Sequence, residues 1–113
     1  DIDKTHFDYV VDAMENVVMN GSARRAYMRE LMLCGKTSTV KNPNGYDHSG
    51  FIGFAPKNNP KIAIAAYIEN AGWGGRAAAS ISSLASEYYI FGKTKRNWLE
   101  DYVLQGEFID EEN

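Results

Sequence analysis

The chain has 113 residues, of which 44% are hydrophobic and 24% charged, which is the size and balance of one globular domain at most. Its net charge of −3 excludes a general affinity for nucleic acid, and its single cysteine, Cys34, excludes an internal disulfide. No apolar run approaches the roughly 18 residues of a membrane span, and no signal peptide is recognised. Because the sequence starts at Asp1, directly before a predicted helix, we expect a fragment of a longer protein.

The first predicted element is an amphipathic helix over residues 7–19. Its apolar side chains recur at the i, i+3, i+4 and i+7 spacing of one helix face, and they are Phe7, Val10, Val11, Met14, Val17 and Val18. Thr5 is the predicted N-cap and Asn20-Gly21 the predicted stop. The connection that follows, residues 22–30, is expected to be exposed or to form a short edge strand.

Three strands are predicted next, over residues 31–39, 51–55 and 62–68. Turn segments rich in Pro, Asn and Gly separate them, and such short connections predict an antiparallel meander. The last of these strands is apolar on both faces, which predicts a central strand covered on both sides. A lone cysteine on the apolar first strand is interpreted as a small buried side chain.

Two more helices complete the predicted order. A Gly-rich loop around Trp73 leads to a helix over residues 76–91, whose core stripe is expected to contain Ile81, Leu84, Ala85 and Tyr88. A short third helix is marked by Trp98, Leu99, Tyr102 and Val103. Residues 107–113 form an acidic tail, interpreted as solvated. The order predicts an α+β fold with a three-stranded antiparallel sheet flanked by helices.

The most informative motif is Cys34-Gly35-Lys36-Thr37-Ser38-Thr39 on the first predicted strand. Side chains alternate along a strand, so Thr37 and Thr39 share a face and offer hydroxyls to a carboxylate. Lys36 is expected to point into a cleft, as a cation for a substrate carboxylate or to bias a proton network. The strand backbone can also pair with an extended peptide, so the motif suits a groove for a carboxylate-bearing peptide. The alternative is a half-exposed edge strand with polar side chains, which the tripeptide Lys36-Thr37-Ser38 alone favours.

Two other kinds of site are disfavoured by the same residues. Gly35-Lys36-Thr37 resembles the end of a phosphate-binding loop, but the glycine which that loop requires is replaced by Glu30, whose carboxylate would repel phosphate. No metal is expected either, because no ligand spacing relates the candidate side chains His6, Cys34, Asp47 and His48.

From about residue 8 to residue 90 the sequence resembles the C-terminal part of the transpeptidase domain of class B penicillin-binding proteins, especially their elongation-type branch, penicillin-binding protein 2. Seven segments carry the resemblance in the right order: Met14-Glu15-Asn16-Val17-Val18, Gly21-Ser22-Ala23, residues 34–39, Asp47-His48-Ser49, residues 51–56, residues 59–65 and residues 69–74. The resemblance implies a piece of the penicillin-binding transpeptidase and serine β-lactamase-like fold, with residues 1–106 belonging to the transpeptidase domain and residues 107–113 to the tail.

The resemblance also implies a function. Members of this family cross-link the stem peptides of peptidoglycan in the cell wall through a serine acyl-enzyme, and β-lactams acylate the same serine. By position, the residues implied to bind the substrate or the β-lactam are Lys36, Thr37, Ser38 and Thr39. No cofactor is implied. The parent protein is implied to be anchored in the bacterial inner membrane, with this domain in the periplasm among other cell-wall synthesis partners.

Two departures from the family pattern concern Ser38 and the nucleophile. Ser38 stands where the family has Gly, so a hydroxymethyl group must be accommodated. The chain has no Ser-x-Asn, and its Ser-x-x-Lys match, Ser38-Thr39-Val40-Lys41, lies on a predicted strand. A strand places positions i and i+3 on opposite faces, about 10 Å apart, so we expect no catalytic residue in this chain.

Asp47, His48 and Trp73 are interpreted as the rim of the groove. Adjacent residues cannot align as nucleophile, base and orienting group, so Asp47-His48-Ser49 is not read as a triad. His48 can instead hydrogen-bond within its turn. Trp73 can contact a ligand or partner, or it can simply pack and stabilise its loop.

The leading hypothesis is therefore an enzyme whose isolated fragment is inactive. Alternatives are a non-catalytic module that binds peptides or β-lactams, and a related D,D-carboxypeptidase or β-lactam sensor. An upstream Ser-x-x-Lys and Ser-x-Asn in the parent would favour the enzyme. The exposed edge of the strand over residues 31–39 also predicts a homo-oligomer.

Overall fold

The fold is described for residues 2–109 by a computed structural model. Helix α1 (Lys4–Met19) and a 3₁₀ turn (Arg24–Ala26) precede strands β1 (Cys34–Val40), β2 (His48–Ala55) and β3 (Ile62–Ile68), and helices α2 (Ala77–Phe91) and α3 (Asn97–Gln105) follow. The predicted type and order of the helices and strands are confirmed. None of the helices in this described range is long and apolar enough to cross a membrane.

Helix α1 begins earlier than expected and is only partly covered. Its N-cap is Asp3, whose carboxylate accepts a hydrogen bond from the backbone N–H of Thr5 at 3.0 Å, so the prediction of Thr5 as N-cap is wrong. Val18, near the end of the helix, is fully buried, whereas Phe7 and Val10 near its start are exposed. The predicted apolar stripe therefore meets the core only at its C-terminal end, where α1 lies against β1.

The three strands form one antiparallel sheet in the order β1-β2-β3, as the meander prediction required. The interpretation of Ile62–Ile68 as a central strand is wrong, because β3 is an outer strand of this sheet. Helix α2 packs on the face that carries Ile62, Ala66 and Ile68. On the opposite face Ala63, Ala65 and Tyr67 are exposed among the described residues.

The centre of the core is the ring of Phe51, which is 1% exposed. Gly35 and Gly53 lie beside it on the same face of the sheet, and a Cβ added at either position would meet the ring, at 2.7 Å in the case of Gly53. The two glycines therefore let the ring lie flat against the strands. Cys34 is buried, as predicted for a lone cysteine on this strand.

Helix α2 buries a different side from the one that its large apolar residues predicted. Tyr88 is 63% exposed and Ala85 is exposed, while Ile81 and Leu84 are only half-buried. The fully buried positions are small or polar, and they are Ala77, Ala78, Ala79, Ser80, Ser82, Ser83, Ser86 and Glu87. Small side chains let the helix lie close to the sheet. This close packing favours burial of the face with small side chains over burial of the face with larger ones.

A buried ion pair joins α2 to the segment before α3. Glu87 is fully buried, and its Oε1 accepts hydrogen bonds from Nε and Nη2 of Arg96 at 3.2 and 3.0 Å. Its Oε2 accepts the backbone N–H of Lys95 at 2.8 Å. Arg96 Nη1 continues to the carbonyl oxygen of Ala26 in the 3₁₀ turn, at 3.1 Å, and Ser83 Oγ donates to the same oxygen. Three separate segments thus meet at one charged contact.

The end of the described chain also packs on the fold. Phe108 is buried against Ala71 and Ala77 and makes an edge-to-face contact with Tyr102, with ring centroids 5.2 Å apart. The acidic tail over residues 107–113 therefore includes at least one residue that is held by the core. Residues 110–113, which carry most of its charge, lie outside the described residues.

Replacing Glu87 with Gln should lower the free energy of unfolding by about 3 kcal/mol, because Arg96 keeps its charge in a buried site without a counter-charge. Urea denaturation followed by circular dichroism measures the change. The matched control is Asp8→Asn, which breaks the exposed ion pair between Lys4 and Asp8 and should leave the midpoint unchanged. Equal midpoints for Glu87→Gln and the unsubstituted chain would contradict this account.

Candidate functional site

A groove of about 480 Å³ opens where β1 meets the 3₁₀ turn and the loop before α2. Thr37 and Thr39 of β1 form one wall, and Trp73 and Trp98 lie along it. The 3₁₀ turn and the start of α2 contribute arginines. The groove therefore combines hydroxyl groups, cations and flat aromatic surfaces.

Two groups of hydroxyls on the groove wall are already hydrogen-bonded within the protein. Thr37 Oγ1 and Ser22 Oγ are 2.8 Å apart, and Thr39 Oγ1 accepts the backbone N–H of Gly74 at 3.3 Å. The prediction that Thr37 and Thr39 share a face is confirmed by these contacts. Ser22, just after α1, is a groove residue that the sequence reading did not single out.

Lys36 and Ser38 lie on the opposite face of β1 from the groove. Their side chains alternate with those of Thr37 and Thr39, and neither lines the groove. Lys36 Nζ donates to the carbonyl oxygen of Thr37 at 2.8 Å. This groove therefore does not include Lys36, and the expectation that Lys36 points into a cleft and binds substrate stays a prediction.

The extra hydroxymethyl of Ser38 is accommodated by a glycine on the neighbouring strand. Ser38 pairs with Gly50 in the β1–β2 register, and a Cβ added at Gly50 would collide with Ser38 Oγ. The side chain of Ser38 therefore occupies the space that a larger residue at position 50 would need. Lys41, the other end of the Ser-x-x-Lys match, lies after β1 and its Nζ is 3.4 Å from Oδ2 of Asp47.

Ser49 holds the Gly-rich loop over the sheet. Its fully buried Oγ donates to the carbonyl oxygen of Trp73 at 2.9 Å and accepts the backbone N–H of Ala78 at 3.0 Å. Within the loop, a Cβ at Gly74 would collide with the carbonyl oxygens of Ser38 and Gly50, so only glycine fits this close approach. The sequence reading missed this role of Ser49, although a serine on the same strand face as Phe51 signals a buried hydroxyl in need of partners.

The side chains of Asp47 and His48 both accept hydrogen bonds from backbone N–H groups of loops near the groove. His48 Nδ1 accepts the backbone N–H of Asn70 at 2.9 Å, and its ring lies 5.5 Å from that of Tyr67. Asp47 Oδ1 accepts the backbone N–H of Asn42 at 3.1 Å. Asp47 and Trp73 also line a smaller pocket of about 150 Å³. His48 therefore hydrogen-bonds to the loop after β3 and not within its own turn, and the role of Asp47 and His48 at the rim of the groove stays a prediction.

Three arginines line the groove beside its three hydroxyl residues. Arg76 places its Cζ 5.9 Å from the ring centroid of Trp73, and Arg25 places its Cζ 4.3 Å above the ring of Tyr102. Arg24 Nη1 donates to the carbonyl oxygen of Gly21 at 3.2 Å. The motif reading, which was confined to β1, did not identify these arginines as groove residues.

Cys34 is not available as a nucleophile at neutral pH. Burial raises the pKa of its thiol to about 11, and the nearby carboxylate of Glu15 acts in the same direction. The reactive form of cysteine is the thiolate, so this thiol stays protonated and inert well above neutral pH.

Replacing Ser49 with Ala should destabilise the chain by about 1–3 kcal/mol, since it leaves a buried carbonyl and a buried N–H without partners. Amide exchange should also accelerate over residues 73–78, and urea denaturation gives the change in stability. The matched control is Ser82→Ala, because Ser82 Oγ is buried without a hydrogen-bond partner among the described residues. The role assigned to Ser49 is wrong if the two substitutions behave alike.

The packing of Ser38 against Gly50 predicts that their substitutions are coupled. Gly50→Ala alone should be destabilising, and Ser38→Gly in the same chain should restore about 1 kcal/mol of that loss because it removes the colliding hydroxyl. A double-mutant cycle from urea midpoints measures the coupling. Additive effects would show that Ser38 rotates away freely and that the two positions are independent.

Comparison with known proteins identifies the family. The family described as "Penicillin binding protein transpeptidase domain" matches residues 1–87. The chain is 32% identical over 95 residues to the peptidoglycan D,D-transpeptidase MrdA of Haemophilus influenzae, an alignment that covers 68% of this chain and 15% of the relative.

Solved structures agree with the sequence match. The Pseudomonas aeruginosa PBP2 structure in complex with WCK 5153 superposes with a TM-score of 0.70 and 33% identity, covering 85% of this chain and 22% of that one. The D,D-transpeptidase domain of a peptidoglycan glycosyltransferase from Eggerthella lenta gives a TM-score of 0.65 with 31% identity, covering 80% and 22%. The chain thus spans about a fifth of the length of these solved structures. It belongs to the penicillin-binding protein transpeptidase domain family, and its similarity to the PBP2 (MrdA) type covers a segment of that domain.

Proposed function

We propose that this chain forms one wall of the substrate groove in a PBP2-type D,D-transpeptidase that cross-links peptidoglycan during cell-wall synthesis. The observation that carries the proposal is the pair of threonine hydroxyls on β1, which face a cationic groove beside a second hydroxyl from Ser22. The family match over residues 1–87 and the name of the Haemophilus relative support the same reaction class.

The groove hydroxyls are suited to the C-terminal carboxylate of a stem peptide. Thr37 and Ser22 share one hydrogen bond and carry two hydroxyl protons, so one proton remains to be donated to a ligand. Thr39 Oγ1 accepts from Gly74, and its own proton is directed elsewhere. Together these groups supply two donors to a carboxylate, while the strand backbone offers pairing to an extended peptide.

Two groups of the proposed reaction remain, Lys36 and the nucleophile. Lys36 lies on the face of the sheet away from the groove threonines. The peptide bond next to a carboxylate bound at Thr37 and Thr39 lies on the groove side, so we place the reactive serine of the transpeptidase domain on that side of β1. The fragment alone then binds but does not acylate. The parent protein is proposed to be anchored in the bacterial inner membrane with this domain in the periplasm, where it works with other cell-wall synthesis proteins.

Benzylpenicillin should bind this chain reversibly and form no covalent adduct. Intact mass after incubation should show the unmodified chain, because the proposed nucleophile is not part of it. The chain has two tryptophans, and both line the groove, so quenching of tryptophan fluorescence reports reversible binding. Thr37→Val should weaken that binding about tenfold, the effect of losing one hydrogen bond to a charged group.

The matched control for Thr37→Val is Thr5→Val, which replaces an exposed threonine on α1 and should leave the titration unchanged. A stoichiometric adduct mapped to Ser38 would contradict the half-site proposal and make the chain an acylating module by itself. Equal binding by the Thr37→Val variant and the unsubstituted chain would show that the threonine hydroxyls do not meet the carboxylate.

A further inference from the structure

A short segment after α3 folds back onto the loop that carries Trp73. Helix α3 ends at Gln105, and Gly106 follows in the left-handed conformation, with a φ of 69°, which ends a helix and redirects the chain. Residues 106–109, which we call the strap, then pack against the Gly-rich loop. The strap lies beyond residue 87, where the family match ends, so its contacts are not part of that match.

Phe108 of the strap bridges the two ends of the Gly-rich loop. Its side chain is 9% exposed and forms a cluster with Ala71 and Ala77 that is separate from the main core. Ala71 follows β3, Ala77 is the first residue of α2, and Trp73 lies between them in the sequence. One ring therefore contacts the loop near both of its ends, which restricts the conformations open to the residues between them.

Ile109 adds a contact at the beginning of the loop. A Cβ built on Gly72 would stand 3.0 Å from Cδ1 of Ile109, so the isoleucine side chain lies directly against this glycine. The backbone N–H of Gly72 also donates to the carbonyl oxygen of Asp47 at 2.7 Å. Phe108, Ile109 and Trp73 share the smaller pocket of about 150 Å³, and Trp73 lines the groove as well. Trp73 therefore borders both the strap and the groove.

The strap also reaches the 3₁₀ turn, on the other side of the groove, through α3. The ring of Phe108 meets that of Tyr102 edge to face, with centroids 5.2 Å apart, and the Cζ of Arg25 lies 4.3 Å from the centroid of Tyr102. Arg25 belongs to the 3₁₀ turn and lines the groove. A ring face beneath a guanidinium favours that position of the cation. Contacts therefore run from Phe108 to both irregular segments that border the groove.

We propose that Phe108 is a positioning residue for the groove, and that the strap keeps the Gly-rich loop where the groove can bind its ligand. Hydrogen bonds to the sheet fix the middle of the loop at Trp73 and Gly74, and the strap fixes its beginning at Gly72. Without the ring, the loop occupies other positions, and the apparent affinity falls with the fraction of molecules that keep the competent one. This inference rests on the proposed function, because it takes the ligand of the groove from there.

The test compares Phe108→Ala with Phe108→Leu in the 113-residue chain. The alanine variant should bind benzylpenicillin about tenfold more weakly, the loss expected when about one molecule in ten keeps the competent loop. Leucine keeps the apolar contact and should restore most of the affinity. Amide exchange at Gly72 should accelerate about tenfold or more in Phe108→Ala, while the amides of β2 keep their rates. Unchanged affinity, or unchanged exchange at Gly72, in Phe108→Ala would overturn the proposal.

The control Ile62→Ala separates loss of the strap from a general loss of stability. Ile62 packs on the main core at the end of the sheet that lies away from Thr37 and Thr39, so its truncation destabilises the fold without touching the strap. All measurements are made where circular dichroism shows each chain fully folded. Affinity and exchange at Gly72 should then match those of the unsubstituted chain. If Ile62→Ala weakens binding as much as Phe108→Ala, the ring acts through stability alone and the proposal fails.

Two further measurements keep this inference distinct from the proposed function. If even the unsubstituted chain does not bind benzylpenicillin, the proposed function fails, and exchange at Gly72 still decides whether the strap holds the loop. If Phe108→Ala does not fold, Ile109→Ala takes its place, because it removes the contact at Gly72 and leaves the ring. Ile109→Ala must then weaken binding and accelerate exchange at Gly72 more than in β2. Equal acceleration in the two segments overturns the proposal.

Discussion

The ion pair between Glu87 and Arg96 is the contact on which the arrangement around the groove depends. It connects the C-terminal part of α2 to the segment before α3, and Arg96 extends it to the carbonyl oxygen of Ala26 in the 3₁₀ turn. Removing two charges from water costs several kcal/mol, which is recovered only when both partners and their remaining hydrogen bonds are in place. This ion pair therefore helps to position two residues that line the groove, Arg24 in the 3₁₀ turn and Trp98 at the start of α3.

Polar groups also fix the Gly-rich loop that borders the groove. Ser49 fixes the loop that carries Trp73, and Thr39 accepts the N–H of Gly74 in the same loop. Loops normally lie on the surface with few apolar contacts, so hydrogen bonds to a rigid sheet are an effective means of keeping one in place. The two irregular segments that border the groove, the 3₁₀ turn and the Gly-rich loop, are thus positioned by polar contacts to α2, β1 and β2.

Sequence patterns predicted the parts of this structure that depend on local order. Alternation along the strand placed Thr37 and Thr39 on one face, and turn residues separated the three strands correctly. The buried face of α2 was misjudged, because the pattern assigned Tyr88 to the core while small residues and Glu87 lie there. Burial of Glu87 depends on Arg96, nine positions away, and no periodicity reveals such a partner. The arginines of the groove were missed for the same reason, since they come from elements far apart in the chain.

The fit of Ser38 against Gly50 has a consequence for how this sequence can change. A serine at position 38 is tolerated because the opposite residue lacks a side chain, so the two positions do not vary independently. A chain with alanine at position 50 would first have to regain glycine before serine at 38 became acceptable, whereas glycine at 38 leaves either residue open at 50. The route by which substitutions accumulate in this strand pair therefore has a direction, and that direction follows from the volume of a single hydroxyl group.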